Sequence, residues 1–151
     1  MKRLTHVSAD GSAQMVEVSG KVLSVREAKA AGRILVGRQT LELIEKNQIA
    51  KGNVLATARI AGIQAAKRTS EIIPLCHTLN LTHVEIEIVL AAKGLEVVCI
   101  ARTTAQTGVE MEALTGTSAA LLTIYDMCKA VDKEMQITDI RMLEKTKREH
   151  R

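Results

Sequence analysis

The sequence predicts an α+β fold, an antiparallel sheet packed by helices, with its longer elements in the order βαββαβ. Three observations carry this. Residues Thr82 to Leu90 alternate apolar and polar, and the turn Lys93-Gly94 leads into a second apolar run, Leu95 to Ala101, which together make a β-hairpin. Longer apolar runs of helical character stand on either side of the hairpin, one opening at Asn53 and the other near Thr107. The chain has 151 residues and no repeat, low-complexity stretch or Pro/Gly-rich linker, so it reads as one domain large enough to bury a core.

Along the chain, Ser24 with Glu27 three residues later fits a capping box and opens a short helix ending near Gly32. Ile34, Leu35 and Val36 form a short strand, and Leu41 to Lys46 another short helix. Asn53 is the N-cap of a longer helix from Val54 to about Thr69, in which Ile60, Ile63 and Ala66 recur at helical spacing. Pro74 ends any helix before it. In the hairpin, Val84, Ile86, Ile88 and Leu90 make the apolar face, and Glu85 and Glu87 the wet one. Thr107 and Glu110 fit a second capping box, whose helix runs to about Lys133 with Gly116 as its weak point. Ile137 to Leu143 closes the fold as a last strand. With one extra helix after the first strand, this is the split βαβ, ferredoxin-like pattern.

Hydrophobic residues make up 46% of the chain, which excludes a disordered sequence. No apolar run approaches the ~20 residues of a membrane span. The start, Met1 to His6, turns polar at once and has no signal-peptide core. Cys76, Cys99 and Cys128 are an odd number, which fits a reducing compartment rather than a disulfide framework. The expected location is therefore the cytoplasm, with no membrane partner. A net charge of +4 points loosely to anionic partners. Part of the excess lies in the run from Lys145 to Arg151, which reads as a solvated, mobile end. One Tyr, no Phe and no Trp leave almost nothing for bases to stack on, which argues against nucleic acid as a partner.

Two segments set ionisable residues inside apolar, helix-forming runs. One is Lys67 to His77 and the other is Thr107 to Leu114, continuing to Leu122–Ala130. A buried charge is costly unless it is paired or used, so these are candidate site segments. Asp126, Lys129 and Lys133 lie at i, i+3 and i+7 and share a helix face; on spacing alone they read most simply as a surface ion-pair ladder. Against that, Tyr125, Met127 and Cys128 leave the helix little solvent-facing arc. Lys51-Gly52-Asn53 stands just before a helix start, where free N–H groups attract phosphate, although the pattern also fits an ordinary loop with an Asn cap. Cys76-His77 has no second pair at ligand spacing, so zinc is not expected. No metal ligand and no cofactor is assigned from the sequence. Glu110 and Glu112 open a helix, where acidic residues are favoured by the helix dipole. At i and i+2 they point to different sides, so both face one pocket only where the helix is not yet regular.

Five segments, in order, closely resemble the MoaC family, the cyclic pyranopterin monophosphate synthases of molybdenum cofactor biosynthesis. They are Met15–Ser19, Lys51–Ile63, Ile73–His77, Thr107–Leu114 and Leu122–Ala130, and the resemblance runs from about Leu4 to about Lys145. It implies the same ferredoxin-like fold. It also implies conversion of a 3′,8-cyclised dihydroguanosine triphosphate, a small nucleotide-derived substrate, into the cyclic monophosphate and diphosphate.

By the same resemblance, Asp126, Lys51 and Lys129 match the catalytic centre, with Asp126 at the position of the acid/base. Leu75, Cys76 and His77 match a wall of the substrate pocket, with His77 as a polar contact or proton donor. Glu110, Met111 and Glu112 match substrate contacts, and Lys145 matches a tail lysine aimed at the phosphates. The expected assembly is a homohexamer, a trimer of dimers with sites at subunit interfaces. Burial and neighbours are expected to bring the Asp126 and lysine pKa values toward neutral. The chain departs from the family at Thr78, where proline is usual, at Glu17 and Asn53, where aspartate is usual, and after Lys145, where a Gly-rich tail is replaced by Thr146–His150. Two other readings are a non-enzymatic nucleic-acid binder, which the missing aromatics oppose, and a family member that binds a nucleotide without turnover, which the altered tail motivates.

Overall fold

The computed structural model describes residues 7–150. The polar start Met1 to His6 lies outside the described residues. The elements are β1 (Ser24–Leu35), α1 (Arg38–Glu45), α2 (Val54–Lys67), α3 (Thr69–Ile72), β2 (Leu81–Ala91), β3 (Gly94–Ala105), α4 (Glu110–Cys128) and β4 (Gln136–Glu149). The strands form one sheet in the order β2-β3-β1-β4, and every neighbouring pair is antiparallel. Each helical crossover thus skips over one strand, which is the split βαβ arrangement expected from the sequence.

The hairpin forms as its alternation predicts. Ile86 and Ile88 are buried while Glu85 and Glu87 are exposed. The turn needs Gly94: its φ is +152°, and a Cβ there would collide with the Ile34 carbonyl of β1. Asn53 caps α2 as expected, its Oδ1 accepting the Ala56 N–H at 2.8 Å.

β1 corrects the sequence reading. Residues Ser24 to Gly32 were expected as a helix, but the whole of Ser24–Leu35 is strand. It pairs with β3 on one side and β4 on the other, so its backbone groups are satisfied across both edges. Tertiary pairing overrides the helical preference of Glu27, Ala28, Lys29 and Ala30. Small residues suit the buried centre, because a Cβ at Gly32 would lie 2.6 Å from Leu121 Cδ1 of α4.

Other boundaries also move. α2 stops at Lys67, and Thr69–Ile72 forms the separate turn α3. α4 ends at Cys128 rather than near Lys133, and its N-cap is Val109, with no side-chain cap from Thr107. β4 extends from Gln136 through Glu149. Lys145 to Glu149, expected as a solvated end, pair with Ala28 to Ser24 of β1. A bulge, with Asp139 at φ +57°, lets β4 follow β1 past Gly32.

α2 and α4 pack against each other over one face of the sheet, where the main core lies, built on Ile34, Leu95, Val97, Leu121 and Ile124. Gly62 and Gly116 mark their closest approach. A Cβ on Gly62 would lie 2.9 Å from the Gly116 carbonyl oxygen, and one on Gly116 would lie 2.7 Å from Cys99 Sγ. Gly116, expected as a weak point, is therefore where the layers meet. A second cluster, with Ala28, Ala101, Val109 and Ala113, supports the start of α4.

Candidate functional site

The end of a helix carries free carbonyl groups and a partial negative charge, which attract cations. At the end of α4 they attract lysines. Lys51, in the loop before α2, donates from Nζ to the Asp126 backbone carbonyl at 2.9 Å and to Asp126 Oδ2 at 2.8 Å. Lys129 Nζ lies 2.7 Å from the other carboxylate oxygen, Oδ1. Lys133, expected on the same ladder, instead donates to the Lys129 carbonyl at 2.5 Å. The result is a carboxylate clamped between two ammonium groups from separate parts of the chain. Lys51 turns away from the start of α2 toward Asp126.

This cluster is solvent-facing: the Asp126 side chain is 57% exposed, against 46% for Lys51 and 55% for Lys129. The expectation of burial and of pKa values brought toward neutral is therefore corrected. Hydrogen bonds from Lys129 and then Lys51 hold the Asp126 carboxyl down at about 2. The same contact with Asp126 pushes Lys129 up. Pairing in water favours both charged forms. At neutral pH the trio is one fixed anion holding two cations.

At the other end of α4 lies an open cavity of about 630 Å³. Leu75, Cys76 and His77 border it from the segment after Pro74, and Glu110, Met111 and Glu112 from the first turn of α4. The structure thus brings together these six expected residues. Both glutamates border the cavity although the helix has begun. Glu110 folds back over Gly108, where a Cβ would collide with its carboxylate.

His77 Nε2 lies 2.7 Å from the Val16 carbonyl oxygen. A carbonyl only accepts, so Nε2 carries the proton and Nδ1 is the remaining nitrogen. Glu112 is 3% exposed. Its Oε1 accepts the Cys76 thiol at 3.8 Å, and its Oε2 is buried with no partner among the described residues. Burial raises the Glu112 carboxyl above its ordinary value, and burial followed by the Glu112 charge raises the Cys76 thiol.

A smaller cavity of about 200 Å³ adjoins Gly108 and Glu110 and is bordered by Arg26, Lys145 and Lys147. Lys145 Nζ donates to Glu110 Oε1 at 3.3 Å. Arg26 donates from Nη2 to the Gln106 carbonyl at 3.2 Å, and its Nε is buried without a partner among the described residues. Sequence reasoning missed Arg26, because it placed that residue on a helix. It also missed Lys21, which borders the larger cavity. The signal for Lys21 was its position two residues beyond the Met15–Ser19 segment.

The expected site residues therefore fall into two groups. Asp126 lies sixteen positions beyond Glu110 on α4, about 24 Å along the axis at ~1.5 Å per residue. One group offers paired cations and a fixed anion. The other offers a cavity with a buried carboxyl, a histidine and flanking lysines. Together they have the chemistry to hold a phosphorylated small molecule and move protons on it. Among the described residues, no three of His, Cys, Asp and Glu gather as metal ligands. No helix among them is long and apolar enough to cross a membrane.

This is a ferredoxin-like α+β protein with a candidate enzyme site at each end of its longest helix. The model of the MoaC family matches residues 15–148, and the chain belongs to that family. The family takes part in molybdenum cofactor biosynthesis. A protein of Chloroflexus aurantiacus named cyclic pyranopterin monophosphate synthase is 55% identical over 144 residues, covering 94% of this chain and 88% of that protein. One of the same name from Heliobacterium modesticaldum is 55% identical over 148 residues, covering 97% and 93%. Another, from Streptomyces avermitilis, is 51% identical over 144 residues, covering 95% and 85%.

Proposed function

We propose that this chain is a cyclic pyranopterin monophosphate synthase, a phosphorus–oxygen lyase. It converts (8S)-3′,8-cyclo-7,8-dihydroguanosine 5′-triphosphate into cyclic pyranopterin monophosphate and diphosphate. The observation that carries the reading is the clamp of Lys51 and Lys129 on Asp126, held in a chain 55% identical to relatives of that name.

The reaction has two demands. Opening and re-closing the purine-derived rings needs positioned proton transfer. Closing the cyclic phosphate needs a sugar hydroxyl to attack the phosphorus nearest the ribose, while the bond to diphosphate breaks. Cations fixed in advance stabilise the charge leaving with the diphosphate. Asp126 stays ionised at neutral pH and aims Lys51 and Lys129, which share the charge-stabilising and proton-transfer roles. Leu75, Cys76, His77, Glu110, Met111 and Glu112 bind the base and sugar, and Lys145 meets the phosphates.

We also propose that copies of the chain associate as a homohexamer, a trimer of dimers in the cytoplasm, so that one copy's lysine clamp faces another's cavity. The support is the distance between the two groups and the exposed apolar side chains on the long helices, Ile60 at 59% and Leu122 at 60%. The free Cys76, Cys99 and Cys128 suit a reducing compartment.

Turnover of the cyclised triphosphate, read as pterin fluorescence after oxidation of the product, tests the reaction. Product from wild type and none from Asp126→Ala is the expected result. No product from folded, assembled wild type would overturn the reading and favour binding without turnover. Light scattering tests the assembly, and a monomer would defeat the shared site.

A further inference from the structure

Glu112 is held in an unusual way. It is almost fully buried, yet Oε2 has no partner among the described residues, and the side chain that its Oε1 meets is a thiol, beside the residue's own backbone N–H. That thiol sits on a fixed turn. The Cys76 N–H donates to the Ile73 carbonyl at 3.1 Å, and the Ile73 N–H donates to the Thr69 carbonyl at 2.9 Å. The next residue, His77, is tied to Val16.

We infer that Cys76 is a positioning residue for Glu112: its S–H donates to Oε1, fixes the carboxylate at the cavity wall, and leaves Oε2 to accept an N–H or O–H from the substrate. The substrate part rests on the function proposed above; the contact between thiol and carboxylate does not. A thiol is a weak donor. It sets the rotamer while leaving the carboxyl responsive to what enters the cavity. A buried acceptor without a donor is unfavourable, so a ligand that supplies one is favoured over a ligand that cannot.

The groups around Glu112 leave this role to Cys76. Glu110 on the same helix repels a second negative charge and is itself engaged by Lys145 of β4. His77 and Lys21 border the same cavity, and Arg26 of β1 borders the adjoining one. Among the described residues, none of these side chains makes a salt bridge or hydrogen bond to Glu112.

Two variants test the role through activity. Cys76→Ala loses about tenfold in kcat/KM at neutral pH, the scale of one hydrogen bond to a charged group. Its acidic limb moves to higher pH, because removing a donor to the charged form favours the neutral carboxyl. Cys76→Ser keeps a donor and brings the limb back toward wild type. Equal losses in both variants with an unmoved limb would mean that Cys76 only fills space.

A second readout needs no substrate. Cys99 and Cys128 are fully buried, so Cys76 is the thiol that iodoacetamide reaches in the folded protein. In Glu112→Gln, alkylation of Cys76, read by peptide mass, becomes several-fold faster at neutral pH. Removing the neighbouring negative charge releases the thiolate. An unchanged rate overturns the inference whether or not turnover is detected, so its failure is distinct from that of the functional reading.

Discussion

Lys51 holds Asp126 twice, donating to its carboxylate at 2.8 Å and to its backbone carbonyl at 2.9 Å. One ammonium group thus orients the carboxylate and neutralises the negative end of α4, joining the loop before α2 to the far end of the longest helix.

Removing either partner should cost activity more than stability. Lys51→Ala and Asp126→Ala lose turnover by about 10² to 10⁴, the range for a positioned proton-transfer group. The thermal midpoint stays near wild type, because an ion pair this exposed adds little to stability. Near-wild-type turnover in Lys51→Ala would remove it from the mechanism.

The clamp also fixes a pH window. Asp126 titrates at about 2, below the ~3.9 of an unfolded aspartate. Its stabilising contribution is present above the unfolded value and is lost as pH falls toward about 2. Carboxyl NMR should therefore find Asp126 ionised throughout the active range, and its midpoint should rise in Lys129→Met. A midpoint near neutral would restore Asp126 as the proton acceptor.

Glu112 has the opposite sign. Its folded pKa is raised, so the folded state is favoured while the carboxyl is protonated and loses ground as pH rises above the unfolded value of ~4.3. The thermal midpoint of Glu112→Gln relative to wild type should increase from acid to neutral pH. A difference independent of pH would mean that Glu112 is not held against its charge.

The helix crossing gives a packing test. Gly116→Ala and Gly62→Ala each place a Cβ within 3 Å of a neighbouring atom, and overpacking of this kind costs about 1–3 kcal/mol. Circular dichroism melts should show both variants less stable. The effect is larger for Gly62, whose contacts include the Gly116 backbone carbonyl.

Mixing two inactive variants tests the shared site. If one copy supplies Asp126 and another supplies Glu112, co-refolded Asp126→Ala and Glu112→Gln recover activity that neither has alone. No recovery in mixed assemblies would place the whole site within one chain.

The hairpin of β2 and β3 and the Asn53-capped start of α2 were legible because their signals are local. Strict alternation, a Lys-Gly turn and a capping side chain act within a few residues. The candidate side chains were legible one at a time for the same reason: their segments carry distinct residue patterns. The sequence set Glu110 and Glu112 at the start of one long helix and Asp126 and Lys129 toward its end, but it did not reveal that Lys51 joins one end and Leu75, Cys76 and His77 the other, since that follows from which loops pack there.

By itself, then, the sequence determined the α+β class, the order of the long elements and the residues with the chemistry for a site. Only the tertiary structure decided that Ser24–Gly32 is strand and that Lys145–Glu149 joins the sheet. The reason is nonlocal pairing. β1 satisfies its backbone against β3 on one edge and β4 on the other, strands far away in the chain, and no local propensity encodes those partners. The same packing decided the electrostatics: Asp126 was left in water between two lysines that hold its carboxyl down, while Glu112 was buried beside a thiol and its carboxyl pushed up.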